Sequence, residues 1–520
     1  MSARRTEATS WLLAALPLGF LAAMVAWPLA TVAGGALLHP AALAWLLRPY
    51  GLHLAVWTAE QALISTALAT ALGLVLAGFL QTYHFPGKPL LLRALLLPFL
   101  TPSLIAALGL LDLFGAHGLT GLHPGGGLLV ILANLFFNLP LAIRLCYGGF
   151  SRVPPQALEA ARSLGSSPWR ARLRVTLPLV WPAALAASSL VLLYSFVAFG
   201  TPLLLAGPRH QTLEVLIYVL TLDQLRLNRA GAVALLQLLV LGAVTASYTW
   251  LQRNLALQLP SGIGTSRSPK GIGKLLVRAG ALSIAALTLG PLLLVLAGSL
   301  SGAGRPSLAA YAALGGLQLP VSLARAALNT ALLALLSLPL SLLLGGLLAL
   351  AIWSSPGVLD LLSLLPLMVS PVSLAVGYLL LYPGLRLSLL LLICSYALLA
   401  FPLVTRTLLP ALRSLPHSQL DAARTLGSSW GRSLARVVAP QLRAALRAAA
   451  ALALATALGE FASTLVLVRP SWTTLAVGLY QVAQHPGQLP LAEAQAIAVL
   501  LFGLTLLGFT ALDGGRAEIG

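Results

Sequence analysis

Charged residues are scarce in this chain. Only 8% of its 520 residues are Asp, Glu, Lys or Arg, about a third of the fraction found in soluble domains. Many apolar runs reach the roughly 20 residues that cross a bilayer, and a soluble core could not bury so many wholly apolar helices. The sequence therefore predicts an all-α, polytopic membrane protein whose main surroundings are a lipid bilayer.

Cysteine is almost absent. Cys146 and Cys394 both lie in apolar runs, so the sequence indicates neither a disulfide framework nor a cysteine metal site. His117 and His123 stand six residues apart with no Cys, Asp or Glu between them, which is a poor metal site and is typical of loop residues. We expect no metal and no cofactor.

Nucleotide-binding and catalytic motifs are also lacking. The Gly-Lys pairs at 87–88 and 273–274 have neither the upstream glycine nor the Ser or Thr of a phosphate-binding P-loop. Neither G-x-S-x-G nor H-E-x-x-H occurs. We therefore expect no enzyme activity in this chain, and any ATP hydrolysis would have to be supplied by a separate subunit.

Apolar runs and polar breaks divide the chain into two halves. The segment 253–274 is polar and rich in Gly and Pro, and it is the predicted linker between a first half, 1–252, and a second half, 275–520. The first apolar run continues past Trp27, which favours an uncleaved first span over a signal peptide. The runs predict about twelve spans, at 11–33, 55–80, 90–114, 127–147, 180–206, 231–252, 275–298, 322–352, 358–382, 387–407, 442–468 and 492–512.

The net charge of +19 is explained by topology. A strongly basic protein can also bind nucleic acid, but an N-terminus inside the cell places 23 of the 31 Lys and Arg residues on the cytoplasmic side and 8 on the other side. This asymmetry follows the positive-inside rule. We predict no nucleic-acid partner.

One arginine-rich segment occurs twice. Glu159 to Pro178 reads EAARSLGSSPWRARLRVTLP, and Asp421 to Pro440 reads DAARTLGSSWGRSLARVVAP. The offset of 262 residues also relates Pro140 to Pro402 without an insertion. The match predicts an internal duplication and therefore two parallel six-helix repeats, each with one copy on the cytoplasmic side.

The residues of the first copy favour two short helices joined by a turn. Gly165 can adopt the positive φ that ends a helix. Ser167 is then a suitable N-cap with Pro168 at the first helical position. Glu159 is expected in a first helical turn, where the helix dipole favours an acid. A basic helix lying in the lipid headgroups is the alternative interpretation.

This segment resembles the EAA loop of ATP-binding cassette (ABC) importer permeases, whose pattern is Glu-Ala-Ala, three residues, Gly, nine residues, Ile, one residue, Leu-Pro. The first copy has Val for Ile, and the second has Asp for Glu, Val for Ile and Ala for Leu. The resemblance implies that each loop seats in an ATPase subunit and transmits its motion. The implied coupling residues are Glu159, Ala160, Ala161, Gly165, Pro178, Asp421, Ala422, Ala423, Gly427 and Pro440.

Further stretches narrow the resemblance to fused permeases of thiamine and ferric-iron importers. They are FFNLP at 136–140, the segment 195–218, and GEFASTLVLVRPSWTTLAVGLYQ at 459–481. The resemblance implies two permease domains in one chain, a pair of ATPase subunits, and an external solute-binding protein that selects the solute.

Three charged residues are further candidates. Arg144 and Arg406 end the fourth and tenth spans, where each could anchor the following loop through an ion pair or reach the lipid headgroups. Glu460 lies inside an apolar span, where a carboxylate is costly and usually faces a cavity or a partner. It could line the path of a cationic solute or be a hydrogen-bonded structural group.

Two other functional classes remain open. A secondary transporter with two parallel repeats would be driven by an ion gradient, but it would need more acids within the membrane and would give no reason for duplicated EAA-like loops. A membrane-embedded enzyme is the third class.

Overall fold

The computed structural model describes residues 3–115, 118–255, 268–302, 305–355, 357–385, 388–415, 417–467, 469–485 and 487–513. These residues are predominantly helical, which confirms the predicted all-α class. The described strands are two residues long, Ser301–Gly302 and Arg305–Pro306, and they pair antiparallel with Ser301 opposite Pro306. The predicted linker lies partly outside the described residues, because 256–267 are not among them.

The helices of the first half differ widely in length, from four residues in Leu97–Leu100 to 34 residues in Pro49–Thr82. Three five-residue π-helical turns, Ala22–Ala26, Arg172–Thr176 and Val219–Asp223, continue directly from α-helices. The α-helices are Ala3–Leu21, Trp27–Leu37, Pro40–Leu46, Pro49–Thr82, Lys88–Ala94, Leu97–Leu100, Ser103–Phe114, Gly126–Ser151, Pro155–Ser163, Pro168–Ala171, Leu177–Phe196, Gly200–Leu205, Leu213–Tyr218 and Leu227–Leu255.

The second half follows a similar order. It contains one π-helical turn, Leu434–Val438, and short 3-10 turns at Leu314–Gly316, Leu365–Met368, Pro383–Leu385 and Pro470–Trp472. The α-helices are Ile272–Ser299, Ala309–Ala313, Leu323–Ser354, Val358–Leu362, Pro371–Leu381, Leu389–Arg413, His417–Thr425, Trp430–Ser433, Ala439–Gln441, Arg443–Leu458, Ala462–Leu467, Leu475–Ala483 and Gln488–Asp513.

Fewer continuous spans form than the twelve expected. The described residues contain nine helices long and apolar enough to cross a membrane, or eleven if two bent pairs each count as one span. The predicted span 90–114 is not a single helix: it ends and restarts around Pro98 and Pro102, which leaves Ser103–Phe114 as its longest piece. Proline removes a backbone N–H and clashes with the preceding turn, so an apolar run was mistaken for a continuous helix here.

Two other predicted spans are broken near their C-terminal ends. The span at 180–206 is interrupted after Phe196 and resumes at Gly200, and the span at 442–468 is interrupted after Leu458 and resumes at Ala462. These breaks occur at equivalent places in the two halves, since 262 residues separate 200 from 462. Hydrophobicity alone did not reveal them.

The helices form two compact units, and each unit includes the first span of the opposite half. One unit comprises Met1–Leu38, Ala313–Gln481 and Ile497–Gly520, and the other comprises His39–Ala312 and Val482–Ala496. The N-terminal helices thus pack against second-half helices, whereas Ile272–Ser299 packs against first-half helices. These units are defined by packing, whereas the predicted domains 1–252 and 275–520 are defined by the sequence repeat. The domain boundaries therefore remain a prediction.

A glycine–proline contact recurs where the exchanged spans pack. A Cβ atom on Gly109 would overlap the backbone of Pro291. A Cβ atom on Gly377 would lie 2.8 Å from Cβ of Pro28. Gly109 and Gly377 occupy corresponding third-span helices, so the same close approach holds an exchanged first span within each unit.

Candidate functional site: the duplicated cytoplasmic loops

The first copy of the repeated segment is a helix, a turn and a second helix, as the sequence predicted. The helix Pro155–Ser163 is followed by the turn and by Pro168–Ala171, which continues through a π-helical turn into Leu177–Phe196. The second copy has the same order, with π-helical turns at Arg172–Thr176 and Leu434–Val438 exactly 262 residues apart. Each π turn lies just before a proline, Pro178 or Pro440, that cannot donate a backbone hydrogen bond.

Gly165 ends the first helix in the left-handed conformation, with φ of +80°. The N–H of Ser166 donates to the carbonyl of Ala161, and the N–H of Gly165 donates to the carbonyl of Arg162. These two bonds define a Schellman motif, in which a glycine at this position avoids the strain of a Cβ atom. The predicted glycine turn is therefore present.

The second copy repeats this turn. Gly427 has φ of +77°, and the N–H of Ser428 donates to the carbonyl of Ala423 at 3.0 Å. Asp421 lies in the helix His417–Thr425, but its side chain lies outside the described residues. The backbone of both loops thus has the same form even though the second copy departs further from the motif.

The start of the second helix also matches its prediction. Ser167 Oγ accepts a hydrogen bond from the backbone N–H of Arg170 at 3.4 Å, and Pro168 is the first helical residue. Glu159, however, is not in a first helical turn, because its helix begins at Pro155. The dipole argument for Glu159 was therefore wrong. Its side chain is exposed and makes no ion pair within the described chain.

The turn of each loop presents a leucine that sequence reasoning missed. Leu164 is 87% exposed and Leu426 is 88% exposed, and the two are related by the same 262-residue offset. Trp169 adds a 66% exposed indole beside the first turn. Other leucines of the described chain are also exposed, but Leu164 and Leu426 recur at matched positions of the repeat, which makes them candidates for a contact with another protein. Their position directly before the turn glycine in both copies was the available sequence signal.

Arg144 and Arg406 contact the short helix at the start of the third span of their own half, Lys88–Ala94 or Val358–Leu362. Arg144 Nη1 donates to the carbonyl of Leu92 at 3.5 Å, and Arg406 Nη2 donates to the carbonyl of Asp360 at 3.0 Å. Arg406 also forms an ion pair with Asp360 Oδ1 at 2.9 Å and donates to Ser363 Oγ at 3.1 Å. These contacts join the fourth span to the third, so anchoring of the coupling loops by these arginines remains a prediction.

Glu460 lies in the break between Arg443–Leu458 and Ala462–Leu467. Its Oε1 accepts hydrogen bonds from the backbone N–H and the hydroxyl of Ser463, both at 2.8 Å. The carboxylate therefore caps the short helix that follows it. In the same helix, Thr464 Oγ1 lies 2.7 Å from the hydroxyl of Tyr396 in the tenth span.

The corresponding break of the first half is held by amides. Asn138 Nδ2 donates to Ser195 Oγ at 3.2 Å, and Gln61 Nε2 donates to the carbonyl of Ser195 at 3.0 Å. Asn134 Nδ2 donates in turn to Gln61 Oε1 at 2.7 Å. All four side chains are buried. Their positions in the sequence follow no spacing pattern that would have predicted these contacts.

Metal ligation has no support among the described residues, where no three His, Cys, Asp or Glu side chains come together. His123 lies within the described loop, whereas His117 lies outside the described residues.

Residues 69–259 match the family model described as "Binding-protein-dependent transport system inner membrane component". The matched region contains the whole first copy of the repeated segment. Together with the apolar helices, this match indicates a multi-pass protein of the inner membrane.

Curated relatives with partial matches include thiamine permeases. The thiamine transport system permease protein of Haemophilus influenzae is 32% identical over 226 residues, which cover 41% of this chain and 42% of that protein. That of Brucella abortus is 34% identical over 212 residues, covering 36% and 39%. A probable sulfate transport system permease protein of Nephroselmis olivacea is 28% identical over 205 residues, covering 38% and 72%.

The matched region thus spans about two fifths of the length of these thiamine permeases. Residues 69–259 are therefore similar to the inner-membrane components of binding-protein-dependent transport systems, and the matched part of the chain resembles thiamine transport permeases.

Proposed function

We propose that this chain is the membrane-spanning permease subunit of an ABC importer. The observation that carries the proposal is the pair of matched cytoplasmic loops, each with a glycine turn and an exposed leucine, Leu164 or Leu426. Two ATPase subunits would each receive one loop. The permease itself would not hydrolyse ATP, since the sequence has no P-loop.

The coupling step follows from the form of the loops. The second helix of the first loop continues unbroken as Pro168–Phe196 into the fifth span, so a force on that loop would be transmitted directly. In the second half Gly431–Gln441 meets Arg443–Leu458 at a bend of 74°, so a force on the second loop would pass through this bend. When the ATPase subunits close on ATP, the two loops would be drawn together and the route between the halves would open to the outside. Glu159, Ala160, Ala161 and their second-half counterparts would form the docked face.

The solute we propose is thiamine, delivered by an external binding protein. The similarity to thiamine transport permeases favours thiamine over ferric iron, the other solute that the sequence suggested. Glu460 would meet the positive charge of thiamine near the break of the eleventh span, while its Oε1 keeps the helix cap. An ion-gradient-driven transporter is the alternative function, and no contact described above favours it.

Charge placed on the loop leucines tests the proposal. Leu164→Glu and Leu426→Glu add a carboxylate to side chains that are almost wholly exposed, so the permease should still fold. We expect the double variant to lose co-purification with the ATPase subunits and to lose thiamine uptake. Leu119→Glu is the matched control, because Leu119 is 75% exposed in a loop on the opposite side.

The energy source separates the two functions. In cells that express the whole transport system, uptake of labelled thiamine should stop when ATP is depleted and should persist when only the proton gradient is dissipated. Uptake that follows the gradient, with normal ATPase binding by the Leu164→Glu, Leu426→Glu variant, would contradict the proposal.

A further inference from the structure

The break of the eleventh span carries four polar side chains that all belong to one compact unit, within its segment Ala313–Gln481. We name them the break cluster: Tyr396, Glu460, Ser463 and Thr464. Tyr396, Ser463 and Thr464 are at most 2% exposed, whereas Glu460 is partly exposed. The carboxylate is therefore the part of the cluster that another molecule can reach.

The negative charge of Glu460 is hydrogen-bonded but not neutralised. The backbone N–H and the hydroxyl of Ser463 both donate to Oε1 of Glu460, each at 2.8 Å. Within the described residues, no basic side chain forms an ion pair with this carboxylate. A carboxylate in a membrane span is costly unless a partner compensates its charge, so the site favours a cationic ligand.

Tyr396 reaches this site from the tenth span. Its hydroxyl lies 2.7 Å from Thr464 Oγ1, and Thr464 Oγ1 donates to the backbone carbonyl of Glu460 at 3.5 Å. Ser463 and Thr464 both belong to Ala462–Leu467, the short helix that the Glu460 carboxylate caps. A shift of this helix would move the two Ser463 donors and the carboxylate with them. The Tyr396 hydroxyl therefore fixes the place of the charge by acting through Thr464.

A pair of aromatic rings holds the break in each half. The ring centroids of Phe461 and Tyr480 lie 5.4 Å apart, and those of Phe199 and Tyr218 lie 5.6 Å apart. Both pairs are tilted by 59°, and an offset of 262 residues relates one pair to the other. The aromatic pair is thus a structural part that both breaks share.

The charged part of the break cluster is not shared. The first half has Ala198 at the position of Glu460 and Asn134 at that of Tyr396. The Asn134 amide donates to Gln61 Oε1 at 2.7 Å, and Ala198 supplies no carboxylate. Because the framework recurs while the acid and its tyrosine do not, the second half alone has a charged site at its break.

We propose that Tyr396 is a positioning residue for solute recognition: through Thr464 it holds the Glu460 carboxylate where it pairs with the positive charge of thiamine, and this site occurs once in the chain. The inference rests on the proposed function, since it specifies how the proposed solute is recognised. One accessible carboxylate matches the single fixed charge of the thiazolium ring.

Equilibrium binding of labelled thiamine tests the positioning role. The complete transporter in phosphatidylcholine nanodiscs is titrated with thiamine in the absence of the binding protein. Tyr396→Phe keeps the ring and removes the hydroxyl, so the Kd should rise by about three- to tenfold. Thr464→Val should have the same effect, and Thr464→Ser should keep the wild-type affinity. Thr456→Val is the matched control, because Thr456 Oγ1 donates to the carbonyl of Leu452 in its own helix.

Double variants separate positioning from a general loosening of the fold. Because Tyr396 acts through Thr464, Tyr396→Phe combined with Thr464→Val should raise the Kd no further than either single change. Tyr396→Phe should likewise add nothing to the weakened binding of Glu460→Gln, since the charge that it positions is then gone. Multiplied effects in the first pair would contradict the route through Thr464. A further rise of the Kd in the second pair would show that the hydroxyl supports the fold and not the charge.

Stoichiometry and uptake distinguish the remaining outcomes. The wild-type transporter should bind one thiamine per permease chain, and two equivalent sites would contradict a site that occurs once. Uptake is measured in vesicles with the binding protein and ATP. If the wild type imports thiamine but Tyr396→Phe keeps the wild-type Kd, or if the wild type binds no thiamine at millimolar concentration, the positioning role is overturned and the importer function stands. If the wild type neither imports nor binds thiamine, both proposals fail together.

Discussion

At the scale of single residues, the turn glycines decide the shape of the cytoplasmic loops. Gly165 and Gly427 adopt φ values of +80° and +77°, and nothing lies within 4 Å of a Cβ added at either position. A substitution there is therefore penalised by backbone strain and not by a steric clash with a neighbour. Because a substitution at either position changes the turn without disturbing the packing around it, the two positions are useful for testing coupling between the loops and the ATPase subunits.

Gly165→Val should cost about 1 to 3 kcal/mol in the loop conformation, because a β-branched residue rarely adopts a positive φ. We expect normal amounts of the variant in the membrane but loss of thiamine-stimulated ATPase activity in the complex. Gly165→Asn should keep most of the activity, since asparagine tolerates the left-handed region. Full stimulation by both Gly165→Val and Gly427→Val would show that the turns do not transmit motion.

Glu460 combines a structural and a proposed electrostatic role that substitutions can separate. Gln keeps an oxygen that can accept from the N–H and the hydroxyl of Ser463, whereas Leu removes the helix cap at a cost of about 0.5 to 2 kcal/mol. Glu460→Gln should therefore assemble normally and lose uptake of cationic thiamine, and Glu460→Leu should also lower the melting temperature in detergent. If Glu460→Gln took up thiamine at the wild-type rate, Glu460 would have a capping role only and no electrostatic role in transport.

At the scale of helices, the first span of the chain is held by hydrogen bonds to two of its backbone carbonyls, those of Ala23 and Met24. These carbonyls lack the usual N–H donor from their own helix. In a regular α-helix the carbonyl of Met24 would accept the N–H of residue 28, but that residue is proline. The hydroxyl of Tyr378 donates to this carbonyl at 2.8 Å. The π turn Ala22–Ala26 likewise frees the carbonyl of Ala23, which accepts the hydroxyl of Tyr382 at 2.7 Å.

Tyr378→Phe should leave the carbonyl of Met24 without a donor and destabilise the protein by about 1 to 3 kcal/mol. Pro28→Ala restores a backbone N–H at the position that could satisfy that carbonyl. We therefore expect the double variant Pro28→Ala, Tyr378→Phe to be more stable than Tyr378→Phe alone, as measured by thermal unfolding in detergent. Tyr50→Phe, at a half-exposed tyrosine, is the control for loss of a hydroxyl. If the effects of Pro28→Ala and Tyr378→Phe on the melting temperature were simply additive, the explanation would be contradicted.

The sequence predicted the elements whose determinants are local. Gly165, Ser167 and Pro168 each impose a backbone preference within a few residues, so the helix, turn and N-cap of the loop were all confirmed. The breaks after Phe196 and Leu458 were missed because their flanks are apolar and contain no proline at the break itself. The amides that hold Ser195 come from two other spans, and a contact between spans leaves no periodic signal in one sequence.

At the scale of the whole molecule, the charge asymmetry predicts an orientation in the membrane that cysteine labelling can test. In a background without Cys146 and Cys394, Gln211→Cys, in the loop between Gly200–Leu205 and Leu213–Tyr218, should react with a membrane-impermeant thiol reagent added outside intact cells. Ser268→Cys, an exposed residue at the end of the predicted linker, should react only after the membrane is opened. The reverse pattern would place the arginine-rich loops outside the cell and would exclude their contact with an ATPase.

The exchange of first spans has a consequence for biogenesis. The helix that carries Pro28 leaves the ribosome early, yet the glycine and tyrosines that cover it, at 377, 378 and 382, follow some 350 residues later. At ordinary elongation rates this delay is roughly 20 to 70 seconds. During that interval the nascent first span must wait in the bilayer with its packing face against lipid, which makes a stalled or truncated chain a natural substrate for membrane quality-control proteases.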